Sequence, residues 1–118
     1  MRFSVIYEFN EAKVIPLYEK YLTEVVSPKI PMGATVMLHG HTDIIGEEAY
    51  NLNLSLERAN DVFTILKSAL EKAGRNDVKF EVKGFGEDPT LAPFENNQPE
   101  ERFYNRTVII DIIPARKI

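Results

Sequence analysis

The sequence predicts an α/β fold: a two-layer sandwich with element order β-α-β-α-β-β, in which a mixed four-stranded sheet carries both helices on one face. Three observations predict it. Four short stretches either alternate apolar and polar residues or run apolar, two longer stretches place apolar residues three and four apart, and turn-forming clusters separate them. Two helices are too few to cover both faces of a sheet.

Phe3, Val5, Tyr7 and Phe9 alternate with Ser4, Ile6 and Glu8, the period of a strand with one buried face. From Val14 the spacing becomes helical through Leu17, Tyr18, Tyr21, Leu22 and Val25, with Pro16 tolerated in the first turn. The cluster from Ser27-Pro28 to Pro31-Met32-Gly33 breaks this helix and leads into a second strand, Thr35 to Gly40, with Val36 and Leu38 inward. Ile44 to Asn53 reads as a loop that admits one helical turn around Glu47 to Tyr50. Ser55 has the chemistry of an N-cap for the long helix that follows, whose stripe of Ala59, Val62, Phe63, Leu66, Ala69 and Leu70 runs to a stop at Gly74. Val78, Phe80 and Val82 mark a third strand ending at Gly84-Phe85-Gly86. Glu87 to Arg102, with Pro89, Pro93, Pro99, Asn96 and Asn97, reads as a long irregular connection. Thr107 to Ile113 is the most apolar run and is expected as a central or well-covered last strand before Pro114.

The 118 residues suffice for one hydrophobic core, so residues 1–118 are expected to form one domain. Fourteen Lys and Arg against eighteen Asp and Glu give a net charge of −4 with no polybasic block, which argues against nucleic acid as a partner. No apolar stretch approaches the roughly 18 residues of a membrane span. The absence of cysteine removes disulfides, thiolate metal sites and thiol catalysis. Met1-Arg2-Phe3 opens straight into strand-like alternation without the layout of a signal peptide, which leaves a cytoplasmic protein or a domain of a longer exported chain. The second is the expectation.

The run Gly40-His41-Thr42-Asp43-Ile44-Ile45-Gly46, followed by Asn51 and by Leu54-Ser55-Leu56-Glu57-Arg58-Ala59, carries the most chemistry. It sets Asp43 just past a strand end and Arg58 in the first turn of the next helix, where the helix amino end favours an anion as well. If the intervening loop folds back, a guanidinium and a carboxylate face one zwitterionic ligand, gripping its carboxylate and its ammonium. An Asp after a strand is also a common turn residue, and an Arg in a first turn is also a common surface charge; spacing leaves both readings open. His39, His41 and Asp43 spell a His-x-His-x-Asp pattern that suits zinc, yet these are the only histidines and a third ligand set is missing. The alternative is a histidine packed beneath the helices or at the site rim and hydrogen-bonded to backbone. Gly84-Phe85-Gly86-Glu87 precedes a proline-rich loop instead of a helix, so it is no phosphate loop. Arg106 is either a second cation near the pocket or an ordinary strand-start charge. No serine lies near a histidine in a nucleophile arrangement, and no catalytic machinery or cofactor is expected.

Together these residues resemble the OmpA-like peptidoglycan-binding domain, the family of outer-membrane OmpA proteins, the peptidoglycan-associated lipoprotein and flagellar stator anchors. The shared pattern is Gly-His-Thr-Asp at 40–43, Gly46, Tyr50-Asn51, Leu54-Ser55, Arg58-Ala59, Gly84-Phe85-Gly86-Glu87 with Pro89, then Arg102 and Asn105-Arg106, in order from Phe3 to Ile112. The resemblance implies noncovalent binding of the peptide stem of peptidoglycan through its meso-diaminopimelate, with Asp43 and Arg58 gripping the free amino-acid end of that residue. It places Asn10, Asn51, Leu54 and Arg106 near the ligand. Three departures stand out: Thr107 replaces a second arginine, Ile45 replaces a small or hydroxylated residue, and the connection from Leu91 to Glu101 is longer and richer in proline.

The expected function is therefore a periplasmic binding module, not an enzyme, that tethers a larger outer-membrane or otherwise envelope-anchored protein to the cell wall, with homo-oligomers arising through that parent. Asp43→Ala or Arg58→Ala is expected to remove peptidoglycan binding without unfolding the domain. Two alternatives use the same chain differently: a degenerate member acting as an envelope protein–protein module, and a metal-dependent hydrolase built on His39, His41 and Asp43.

Overall fold

The computed structural model describes residues 1–8, 10–42, 47–86 and 105–115. Phe9, the loop residues Asp43, Ile44, Ile45 and Gly46, and the connection predicted from Glu87 to Arg102 lie outside the described residues. Strand β1 (Arg2–Ile6) is followed by helix α1 (Pro16–Tyr21), strand β2 (Thr35–Gly40), helix α2 (Glu48–Lys72), and strands β3 (Lys79–Gly84) and β4 (Thr107–Ile113). The strand order is β1-β4-β2-β3; β2 and β3 are parallel, joined through α2, and the other pairs are antiparallel. This is the mixed α/β sheet the sequence predicts, with the apolar last strand at its interior.

Register explains which face is covered. Val36, Leu38 and Gly40 of β2 stand opposite Ile112, Ile110 and Val108 of β4 and opposite Phe80, Val82 and Gly84 of β3. Val36, Leu38, Val108, Ile110 and Ile112 form one core with Val5, with Ala59, Val62, Leu66 and Leu70 of α2, and with Leu22 and Val26 after α1; Phe80 and Val82 pack against it. The alternate positions Arg2, Ser4, Lys79, Glu81 and Lys83 are exposed, so the helices share one face.

The first helical segment departs from a regular helix. Pro16 occupies its first turn as predicted, but after Tyr21 the chain widens into a turn of π type over Leu22–Val26 and then tightens over Ser27–Lys29. Leu22 and Val26 are buried in this wider turn, whereas Val25 and, earlier in α1, Leu17 are exposed. Ser27, expected to break the helix, is instead buried in its last turn.

The start of α2 corrects the sequence reading. The helix begins at Glu48, seven residues before Ser55, so Ser55 is not an N-cap. Its hydroxyl donates to the Leu52 carbonyl at 2.7 Å and accepts the Gly86 N–H at 2.8 Å. The buried stripe continues toward the amino end as Arg58, Ser55, Leu54 and Asn51, and three of these four are polar, so an apolar pattern does not count them. The other end holds as predicted. Gly74 takes φ +73°, its N–H bonds to Glu71, and the Arg75 N–H bonds to Leu70, closing the helix with a left-handed glycine stop.

Two glycines let α2 sit directly on the sheet. A Cβ at Gly40 would lie 1.9 Å from the Ser55 carbonyl oxygen, and one at Gly84, its register partner, would lie 2.7 Å from the Leu56 nitrogen. Beyond them, the Gly40 carbonyl accepts the Phe85 N–H, His41 N–H donates to Thr107, and Thr42 N–H donates to Gly86. His39 and His41 both pack on Phe85, with ring centroids 5.1 and 5.4 Å away. His39 Nε2 and His41 Nδ1 are buried without a hydrogen-bond partner. Burial lowers the pKa of His39 and pushes that of His41 down to about 4.

Gly40→Ala is therefore expected to lower the unfolding free energy by about 3 kcal/mol in denaturant titrations, against about 1 kcal/mol for Gly74→Ala, where only the left-handed φ is strained. Between pH 6.5 and 4 the unfolded chain binds a proton at His41 that the folded domain refuses. Stability from this group is full above the ordinary histidine pKa and declines by up to about 3 kcal/mol as the pH falls toward 4. His41→Phe, which keeps a ring against Phe85 without a titrating group, is expected to flatten the fall in thermal midpoint over that range.

Candidate ligand-binding site

Arg58 lies ten residues past Glu48, nearly three turns into α2. The expectation that it sits in the first turn is corrected, and with it the contribution of the helix amino end, which fades within one turn. Arg58 is 1% exposed, the bulkiest of the fully buried side chains among the described residues. Its Nε donates to the Glu11 carbonyl at 2.8 Å, Nη1 to the His41 carbonyl at 3.2 Å and Nη2 to the Glu8 carbonyl at 3.2 Å. The guanidinium carbon stands 5.1 Å from the centre of the Tyr7 ring. Three directions of hydrogen bonding and one aromatic face fix the orientation of this charge.

Other predicted residues gather around the same segment. Asn10 lies between Glu8 and Glu11, in the left-handed region at φ 61°, and its Oδ1 accepts the Tyr50 hydroxyl from the first turn of α2. Asn51 and Leu54, both buried, precede Arg58 by seven and four residues and so share its face of the helix. Arg106 enters from β4's side: its Nε donates to the Tyr7 carbonyl at 3.2 Å, and its own carbonyl accepts the Tyr7 N–H at 2.6 Å. Neighbouring Asn105 is buried. Asp43 follows the fixed pair His41-Thr42 by one residue and lies outside the described residues. Five of the six predicted ligand residues are thus placed by α2, the 7–11 segment and the start of β4.

Sequence reasoning missed three side chains that organise this region: Tyr7, Asp61 and Tyr50. Tyr7 passed for an ordinary inward strand residue, although a buried phenol requires a polar partner. Asp61 follows Arg58 by three residues, beside Val62 of the apolar stripe. The only signal for Tyr50 was its place beside Asn51.

His39 and His41 pack against Phe85, and among the described residues no group of three His, Asp or Glu side chains could hold a metal ion. A mostly apolar surface hollow of about 590 Å³ lies at α1, lined by Ser4, Leu17, Tyr18, Tyr21 and Val25 with Lys20 and Glu24, and contains none of the predicted ligand residues. No helix among the described residues is long and apolar enough to cross a membrane.

Comparison with known proteins adds four findings. The chain is 34% identical over 121 residues to photosystem I P700 chlorophyll a apoprotein A2 of Gloeobacter violaceus, covering 95% of the chain and 13% of that protein. It is 32% identical over 116 residues to the outer-membrane lipoprotein YfiB of Pseudomonas aeruginosa, covering 98% of the chain and 65% of that protein. The chain thus spans only part of these curated relatives. Among solved structures, the peptidoglycan-associated lipoprotein of Burkholderia pseudomallei superposes with a TM-score of 0.75 at 22% identity, over 92% of this chain and 88% of that one, a likeness of fold. The family model described as OmpA family matches residues 7–106, and the chain belongs to that family.

Proposed function

We propose that residues 1–118 form an OmpA-like domain that binds peptidoglycan noncovalently, through the meso-diaminopimelate of its peptide stem, and anchors a larger envelope protein to the cell wall from the periplasm. The domain is a binding module, not an enzyme. Membership of the OmpA family supports this reading, as do the names of two relatives, one associated with peptidoglycan and the other with the outer membrane.

The observation that carries the proposal is the setting of Arg58. Its guanidinium is oriented by the carbonyls of Glu8, Glu11 and His41, the last of them two residues before Asp43. A guanidinium already held in place loses little freedom when a ligand carboxylate docks, and Asp43 supplies the opposite charge for the ammonium. Asn10, Asn51, Leu54 and Arg106 line the approach. One zwitterion gripped at two points binds modestly, so firm anchoring arises from many copies engaging one polymer.

The burial of Arg58 changes the expected mutant behaviour. Arg58→Ala strips a donor from three carbonyls, each costing about 1 kcal/mol or more, so it destabilises the fold as well as the site. Asp43→Ala and Arg58→Lys are the cleaner probes. In sedimentation with purified cell-wall sacculi, each is expected to weaken retention by about tenfold or more. Retention equal to wild type in folded Asp43→Ala would remove the assigned site. Calorimetry with a diaminopimelate stem peptide that shows no heat at millimolar ligand favours a protein–protein module instead.

A further inference from the structure

A second polar pair lies beneath Arg58 that the proposed ligand contacts do not use. Tyr7, 1% exposed, places its hydroxyl 3.0 Å from the Arg58 carbonyl oxygen and 3.0 Å from Asp61 Oδ2. The same Asp61 oxygen accepts the Val14 N–H at 3.0 Å. Burial and the charge of Asp61 raise the pKa of Tyr7 far above the ordinary phenol range, so the hydroxyl remains a donor.

These contacts close a circuit. Asp61 ties down both ends of the segment from Tyr7 to Val14, one through the phenol and one through the amide. Between those ends lie the Glu8 and Glu11 carbonyls that receive Nη2 and Nε of Arg58, and the Tyr7 ring lies against the guanidinium. Arg58 and Asp61 are one turn apart on α2, so the carboxylate and the guanidinium hold the same segment from a single stretch of helix. Two of the three carbonyls orienting the guanidinium belong to backbone that Asp61 fixes.

We propose that Asp61, acting with Tyr7, is a positioning residue for the Arg58 guanidinium and sets the orientation in which it meets a ligand carboxylate. The link to affinity rests on the reading of Arg58 as the ligand-binding cation. The positioning claim stands on the circuit alone. Asn10 belongs to the same tethered segment, so Asp61 also governs where that side chain is presented.

The test uses the whole chain with Asp61→Ala, Asp61→Asn and Tyr7→Phe, each at a temperature where it is folded. Hydrogen exchange of the Arg58 Nε–H, read by NMR, reports the bond to Glu11 directly. Asp61→Ala is expected to accelerate it by about tenfold or more while amides of β2 and β4 keep their protection, because only the local opening becomes easier. Asp61→Asn retains an acceptor oxygen for both donors and is expected to return exchange to within about threefold of wild type. The dissociation constant for a diaminopimelate stem peptide is expected to rise by about fivefold or more in Asp61→Ala and to recover in Asp61→Asn. Unchanged Arg58 Nε–H exchange in folded Asp61→Ala overturns the proposal. If Asp61→Ala does not fold, Tyr7→Phe decides in its place, since it removes the phenol bond but keeps the ring, with the same two outcomes for exchange. If wild type binds no stem peptide, the functional reading falls by itself, and the exchange comparison still judges the positioning role.

Discussion

The arrangement depends on one close approach: the backbone of α2 at Ser55-Leu56 rests on the paired glycines Gly40 and Gly84 with no side chain between. The hydroxyl of Ser55 then crosses the junction to the Gly86 N–H. A helix held at side-chain distance tolerates some sliding, because side chains change rotamer. A helix seated on backbone does not. That contact fixes the amino-terminal half of α2 against the ends of β2 and β3, and everything in the candidate site is measured from it.

Arg58 follows Ser55 by one helical turn and therefore inherits this precision. Taking a guanidinium out of water costs several kcal/mol, and the domain offsets the cost with three carbonyl bonds and the face of Tyr7. The exposed pair Lys20–Glu24 illustrates the contrast, since such a surface contact contributes little. In Arg58 the charge is part of the core, so its orientation is as well determined as that of a buried leucine.

The same burial explains which parts were legible from sequence. β2 runs from Thr35 to Gly40 as read, and the glycine stop of α2 falls where the apolar stripe ends. Both follow from periodicity and local chemistry. The start of α2 was misplaced because its first three turns bury Asn51, Ser55 and Arg58, residues that an apolar count assigns to a loop or a surface. In and after α1, Leu17 and Val25 stand exposed while Leu22 and Val26 are buried, a division that helical spacing of apolar residues does not make.

By itself the sequence determined the class of fold, the interior place of the apolar last strand and the identity of the residues bearing charge, since these rest on alternation, helical spacing and side-chain chemistry along the chain. Only the tertiary structure decided that Arg58 sits deep in a helix instead of at its tip, that Tyr7 and Asp61 flank it, and that Gly40 and Gly84 bring the helix down onto the sheet. The physical reason is that hydrogen bonds between Arg58 and Glu8, or Asp61 and Val14, join residues some fifty positions apart. No local periodicity records a partner at that separation.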